Sequence, residues 1–159
     1  MKNLRINRTV ALLCAVGCVL ASTANSAFAD VGKAAPVPAY VLQAHLATIF
    51  SAAEGKARFV AYTDEGHCSF DTFITGVKPG TVMVIGVRRG RDRAAVGWLT
   101  ADKSGKAVVE LNTFRGDPIP MCQAGDVVEV FTVTSGAKDP KRIVAQPYKY
   151  NLFMAGVLE

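Results

Sequence analysis

Residues 68–88 read CSFDTFITGVKPGTVMVIGVR, which is two apolar-rich runs joined by a Lys-Pro-Gly turn. In the first run the even positions from 68 to 74 are Cys, Phe, Thr and Ile, whereas Asp71 and Thr75 occupy the opposite face. A period of two is typical of a strand with one buried face. Pro79 fixes its own φ and Gly80 admits a positive φ, as the centre of a type II turn requires. The stretch therefore predicts two strands joined by a tight turn.

Similar short runs occur on both sides of this pair, separated by Gly and Asp residues of the kind that reverse a chain. They are residues 57–63, 94–100, 106–112, 126–134, 142–146 and 150–157. Short strands at this spacing, without regular alternation of helix and strand, are typical of antiparallel all-β domains. The sequence predicts a small antiparallel β-sandwich of about seven to eight strands.

Residues 40–54 fit two patterns. Leu42, Leu46 and Ile49 fall at helical spacing, with Gly55 in the position of a C-terminal cap. Leu42, Ala44 and Leu46 also alternate as a strand does. We favour an opening strand through Leu46, followed by a short helical turn.

The run at 81–88 is apolar on both faces, because Val, Met, Val, Ile and Val occupy positions 82–85 and 87. One face of an antiparallel sheet is normally polar. A second cover is therefore required, and a loop, the N-terminal segment or another chain can supply it. A loop of the same chain is the interpretation we favour.

The N-terminus reads as a secretory signal peptide. Three basic residues lie within the first eight positions, an apolar stretch spans 10–21, and Ala27-Phe28-Ala29 has small residues where a signal peptidase cleaves. We predict a signal peptide at 1–29, a flexible leading segment at 30–39 and a single domain at 40–159. The apolar stretch is shorter than the roughly 20 residues of a membrane span, so we predict no transmembrane segment in the mature chain. Lipoprotein processing at Cys18 stays open as an alternative.

Cleavage after Ala29 places the protein in the periplasm or outside the cell and changes the charge balance. The whole chain has a formal net charge of +5, but removing the three basic leader residues leaves 15 Lys and Arg against 13 Asp and Glu, a charge of +2. Proteins that bind nucleic acid carry a clustered excess of positive charge. We therefore predict no nucleic-acid partner.

The same cleavage leaves two of the four cysteines, Cys68 and Cys122, which are 54 positions apart. An even number of cysteines in an exported chain predicts a disulfide. Closing a loop of that length stabilises a fold by about 4 kcal/mol. No Cys-x-x-Cys motif is present to indicate a redox role.

Three turn-rich stretches carry a resemblance: GVKPGT at 76–81, TADKSGKA at 100–107 and AGDVVEV at 124–130. Together they resemble the recurring pattern of bacterial immunoglobulin-like β-sandwich modules, over roughly residues 57–134. The resemblance implies a β-sandwich in an envelope or secreted setting, where such modules bind, space or decorate. It carries over no catalytic residue.

Signatures of catalysis are missing from the sequence, which contains neither a Gly-x-Ser-x-Gly elbow nor a phosphate-binding loop. We predict that the protein is not an enzyme, has no cofactor and has no metal site. The alternative is a small periplasmic metal-handling protein or enzyme centred on His67. In it, His67 and Met121 join the adjacent cysteines around a soft ion such as Cu(I).

Four arginines lie between two predicted strands, at positions 88, 89, 91 and 93. Guanidinium groups on a hairpin bind phosphate, sulfate or carboxylate through paired hydrogen bonds. Alternatively, the charges keep the sheet edge from aggregating. We predict a non-catalytic binding or structural role in the cell envelope, with Arg88, Arg89, Arg91 and Arg93 as candidate ligand-binding residues. An anionic glycan, a lipid or an envelope protein would be the partner.

Overall fold

The computed structural model describes residues 36–48, 51–63, 66–133, 139–145 and 151–159. The predicted signal peptide, Cys18 and the first part of the leading segment lie outside these residues. The strands are β1 Pro38–Ala47, β2 Glu54–Tyr62, β3 Cys68–Thr75, β4 Val82–Arg89, β5 Asp92–Thr100, β6 Ala107–Asn112, β7 Val127–Thr132 and β8 Asn151–Val157. A 3-10 turn at Thr113–Arg115 and a helix α1 at Pro140–Ala145 complete the elements. Neither helical element in the described ranges is long and apolar enough to span a bilayer.

All eight strands belong to one antiparallel sheet, in the order β5-β4-β7-β8-β1-β2-β3-β6. The predicted all-β antiparallel class is confirmed. The two end strands, β5 and β6, also contact each other, so the sheet curls almost into a barrel rather than forming the two packed layers of a sandwich. Register shifts between Ile85 and Gly86 and between Val130 and Phe131 help it curl, because a bulge bends its strand and increases the twist.

The turn predicted at Lys78-Pro79-Gly80 is confirmed. The Thr81 N–H donates to the Lys78 carbonyl oxygen at 3.1 Å, and Gly80 has a φ of 77°. This connection leads from β3, near one end of the sheet, towards β4 near the other. Local turn chemistry therefore links two strands that do not pair with each other.

Strand β1 confirms the strand interpretation of the first part of 40–54. It pairs with β2 along nearly its whole length and with β8 on its other side. β8 approaches closely where it carries Gly156, because a Cβ at that position would collide with the His45 carbonyl oxygen. Gly156 is therefore the residue that lets the two backbones meet.

The main core fills the inside of the curled sheet. Alternate residues of every strand point inward, and the two cysteines belong to the same cluster. The largest fully buried members of this cluster are Phe59, Phe70, Leu46, Ile74, Met83, Ile85, Met154 and Leu158. Inward alternation of this kind is what the sequence period predicts.

The predicted strand at 142–146 is wrong, because residues 140–145 form helix α1. The preceding Asp139 caps it: the Asp139 side chain accepts a hydrogen bond from Lys141 N–H at 3.0 Å, and its carbonyl accepts one from Ile143 N–H. Pro140 stands at the first helical position, where its missing N–H matters least. An Asp-Pro start is a helix signal that outweighs the short apolar run after it.

Helix α1 supplies the second cover that the run at 81–88 requires. Ile143 and Val144 are buried against Val84 of β4 and Phe131 of β7, forming a second core cluster outside the curled sheet. A side chain at Gly86 would collide with Val144, so the helix lies directly on the strand. The cover is thus a segment of the same chain, as favoured above, in the form of a helix.

Candidate functional site

Two of the four hairpin arginines bind one buried glutamate. Arg88 Nε donates to Glu129 Oε1 at 2.7 Å, and Arg93 Nε donates to Glu129 Oε2 at 2.9 Å. Glu129 is only 4% exposed on β7. A buried carboxylate is stable only when it is paired and hydrogen-bonded, so these guanidinium groups have a structural partner inside the protein.

Arg89 binds a second buried carboxylate, that of Asp126. The pair is bidentate, with Nε to Oδ1 at 2.8 Å and a terminal nitrogen to Oδ2 at 2.6 Å. Arg89 also donates to the Met121 carbonyl oxygen at 3.0 Å. The hydrogen bond from Arg89 lowers the pKa of Asp126, and the Gln123 N–H that donates to the same carboxylate acts in the same direction.

Arg91 is the hairpin arginine for which the described residues provide no acidic partner. Three of the four arginines predicted as ligand-binding residues are therefore hydrogen-bonded to Glu129 or Asp126 within the protein. Such bidentate and buried pairs hold the hairpin against the segment that precedes β7 and against β7 itself.

Tyr40, Met121 and the two cysteines lie near one another. The Tyr40 hydroxyl donates to the Cys122 carbonyl oxygen at 2.8 Å and lies 3.4 Å from the Met121 sulfur. Cys68 and Cys122 are present as buried free thiols, so the predicted disulfide is not formed in this structure. Burial, followed by the charges of Asp126 and Cys68, raises the pKa of Cys122 to about 12.

A thiol with that pKa is almost entirely protonated at neutral pH, whereas metals and electrophiles react with the thiolate. The His67 side chain contacts Phe114 and Thr113. Its ring stacks on Phe114 with centroids 4.0 Å apart and planes 11° apart, and its Nδ1 lies 3.4 Å from the Thr113 hydroxyl. In the described part of the chain, no three His, Cys, Asp or Glu side chains are grouped as metal ligands would be.

An open groove of about 560 Å³ crosses the outer face of β1, β2, β3 and β6. The sequence pattern alone does not reveal this groove. Strand register places its outward side chains in two rows perpendicular to the strands. We call them the apolar row, His45, Lys56, Phe73 and Val108, and the polar row, Gln43, Arg58, Asp71 and Glu110.

The apolar row takes its name from two exposed hydrophobic side chains on neighbouring strands. Phe73 is 45% exposed and Val108 is 54% exposed, and they are direct partners in the β3–β6 register. His45 and Lys56 are likewise direct partners in the β1–β2 register. One end of the groove therefore offers an aromatic face beside a cation.

The polar row contains two carboxylates on directly opposed positions, Asp71 and Glu110. Within the described residues, neither carboxylate accepts a hydrogen bond or forms a salt bridge. Partial burial raises the pKa of Asp71, and the charge of Glu110 raises it further, whereas Arg58 and Arg115 oppose the shift. Like charges that face each other across two strands are destabilising.

The groove continues beyond the polar row along the same strands. An adjoining hollow shares Arg58, Asp71 and Glu110 with it and is lined further on by Tyr62, Ser69, Leu111, Asn112 and Arg115. From Phe73 to Ser69 the strand advances about 13 Å, at about 3.3 Å per residue. The combined groove is long and shallow.

The signal that could have located this groove is the pairing of β3 with β6. The strand period already assigned Asp71 to the outer face, but Glu110 and Phe73 join it only once the register is known. These strands are far apart in sequence, so local pattern does not reveal their pairing. The sequence matches no known protein-family profile, and no curated protein is significantly similar to it.

Proposed function

We propose that this is an exported, non-catalytic binding protein of the bacterial envelope, and that it binds its partner in the groove on the outer face of β1, β2, β3 and β6. The observation that carries the proposal is the opposed pair Asp71 and Glu110, whose carboxylates have no hydrogen-bond partner in the described chain. Elsewhere the buried acids, Glu129 and Asp126, are saturated by arginines. Ligand sites are typically concave surfaces that combine apolar side chains with a few convergent polar groups.

Export rests on the leader sequence at 1–29, and it makes a disulfide between Cys68 and Cys122 part of the proposal. The resemblance to immunoglobulin-like modules supports the same compartment. Mass measurement of the protein isolated from the periplasm or medium tests export directly. We expect a chain that starts at Asp30, and a full-length chain retained in the cytoplasm would contradict it.

A second candidate is an anion site at the hairpin, and Arg91 supports it because that arginine is exposed and has no acidic partner among the described residues. The other three hairpin arginines are bound to Glu129 or Asp126, so in the described part of the chain only Arg91 is left to bind an anion. The alternative centred on His67 has weaker support, since the ring is occupied by Phe114 and Thr113.

Co-sedimentation with insoluble envelope material of the source organism distinguishes the groove from the hairpin. The comparison uses the mature protein, a groove variant carrying Phe73→Ser and Glu110→Gln, and a hairpin variant carrying Arg91→Gln. We expect the groove variant to lose most of its binding and the hairpin variant to retain it. Loss in the hairpin variant alone would contradict the proposal, and so would equal binding by all three proteins.

A further inference from the structure

We infer that the groove binds a neutral, extended glycan, with sugar rings lying along β3 from Phe73 towards Ser69. This inference deepens the proposed function and rests on it. It names the ligand class from the chemistry of the two rows and from where the groove lies on the sheet.

The charges of the groove favour a ligand without net charge. Lys56 and Arg58 balance Asp71 and Glu110, so the two rows together carry a formal charge of zero. The adjoining hollow adds Arg115, which forms a salt bridge with Asp117 at 3.4 Å. An anionic polymer would meet the carboxylate pair, and a cationic one would meet the lysine and arginine. Electrostatic complementarity therefore selects against both.

The polar row matches hydroxyl groups. A sugar hydroxyl both donates and accepts, and the row offers carboxylate acceptors in Asp71 and Glu110, donors in Arg58, and an amide with both functions in Gln43. Hydrogen bonds to charged partners are the stronger ones. Neighbouring hydroxyls on one ring are spaced so that planar side chains can bind two at once.

The apolar row matches the other face of a sugar. A pyranose ring presents a flat patch of C–H groups, and Phe73 with Val108 offers a flat apolar surface of the same kind. Aromatic faces carry negative electrostatic potential, which attracts C–H groups as it attracts cations. An apolar patch beside a polar row is thus complementary to a pyranose ring, which has an apolar face and hydroxyl groups at its edge.

The position of the groove argues against an extended peptide. Peptides commonly bind a sheet by adding a strand to an exposed edge. Here the groove lies on a face whose two inner strands, β2 and β3, pair with a neighbour on each side. Their backbone groups are already hydrogen-bonded, so side chains must make the contacts. A polyhydroxylated ligand is suited to that.

The test is calorimetric titration of the mature protein with neutral oligosaccharides: maltohexaose, cellohexaose, xylohexaose and chitohexaose. Oligogalacturonate, lipopolysaccharide and a mixture of extended peptides serve as competing ligand classes. We expect at least one neutral oligosaccharide to bind, and its affinity to change little with salt because the ligand carries no charge for salt to screen. Phe73→Ser, Asp71→Asn and Glu110→Gln should each weaken binding by about tenfold, equivalent to about 1.4 kcal/mol.

Two matched controls keep the test specific. Leu152→Ser removes a similarly exposed hydrophobic residue from β8, and Asp92→Asn removes an exposed carboxylate from β5. Neither should alter binding. A loss in the controls as large as in the groove variants would overturn the inference, because it would place the effect outside the groove.

The remaining outcomes separate this inference from the proposed function. Groove-dependent binding of peptide or oligogalacturonate instead of neutral sugar would overturn the glycan while leaving the groove as the binding site. Self-association that Phe73→Ser abolishes would overturn the glycan in favour of a second copy of the chain. Absence of oligosaccharide binding together with groove-independent envelope binding would overturn both.

Discussion

Asp126 is a buried carboxylate that joins the hairpin to the segment preceding β7. It accepts two hydrogen bonds from Arg89 and one from Gln123 N–H, and its own backbone pairs with Leu158. Because its side chain is nearly inaccessible, water cannot replace these partners when they are lost. Asp126, which the sequence places at the turn before β7, therefore has a strong structural role.

We predict that Asp126→Ala lowers the free energy of unfolding by about 1–3 kcal/mol, since it leaves buried donors without an acceptor. Asp92→Ala, on the exposed side of the same hairpin, is the control and should change stability little. Urea denaturation at pH 7 measures both. Equal stability of the two variants would contradict the assigned role.

The stabilisation from Asp126 should depend on pH. Its folded-state pKa is lowered, so its contribution is fully present above the unfolded pKa of about 3.9 and is lost as the pH falls through the folded value. The wild-type protein should therefore lose more stability than Asp126→Ala when the pH is lowered from 5 towards 2.

Asp71 shows the opposite behaviour. Its folded-state pKa is raised, chiefly by partial burial and then by Glu110, so its ionised form destabilises the fold at neutral pH. We predict that Asp71→Asn increases stability at pH 7 by a few tenths of a kcal/mol, a small figure because solvent reaches the groove. The advantage should disappear as the pH falls below the pKa of Asp71, because the wild-type group is then protonated.

Denaturation at pH 7 and at pH 3, below the unfolded pKa of about 3.9, tests this, with Asp92→Asn as the matched control. A less stable Asp71→Asn protein at pH 7 would show that Asp71 is a structural residue. A variant that is more stable but binds less is the expected signature of a binding site, where function is retained at the expense of stability.

Helix α1 covers an apolar face of the sheet that would otherwise be open to solvent. Ile143 is fully buried against β4 and β7. We predict that Ile143→Ala lowers the free energy of unfolding by about 2–4 kcal/mol and increases the binding of a hydrophobic dye. Lys141→Ala, on the exposed side of the helix, should do neither. An Ile143→Ala protein as stable as the wild type would contradict the covering role.

The elements also show how far local pattern predicts this fold. Strands β2 to β8 lie within a few residues of their predicted ranges, because alternating side chains and Gly or Pro turns encode most of them locally. The run at 142–146 was predicted as a strand because its short apolar sequence fits either structure. Its outcome depends on the Asp139 cap and on the apolar face of β4, and only the cap is a local signal.

Contacts between residues that are distant in sequence determine the features of this fold that local sequence patterns do not encode. The sandwich prediction assumed two sheets, whereas an unbroken chain of pairings from β5 to β6 makes one curled sheet. The carboxylate partners of three hairpin arginines, Glu129 and Asp126, follow more than thirty residues later in the sequence. The local sequence of the hairpin therefore does not show that these arginines are paired. The polar row of the groove was missed for the same reason, since β6 completes it.

The predicted disulfide between Cys68 and Cys122 depends on export to an oxidising compartment. Cys68 and Cys122 are both buried in one core cluster. We predict that denatured protein from an oxidising compartment contains no free thiol. Adding a reductant should lower the free energy of unfolding by about 2–5 kcal/mol. Two titratable thiols per chain would contradict the disulfide.

Carboxylate footprinting of the mature protein with a carbodiimide and an amine label tests whether the groove is the binding site. Labelling is compared with and without the polysaccharide fraction of the source organism's envelope. We predict that the polysaccharide protects Asp71 and Glu110 from labelling and leaves the labelling of Asp92 in the hairpin unchanged. Protection of Asp92 with unaltered labelling of Asp71 and Glu110 would contradict it and would transfer the binding site to the hairpin.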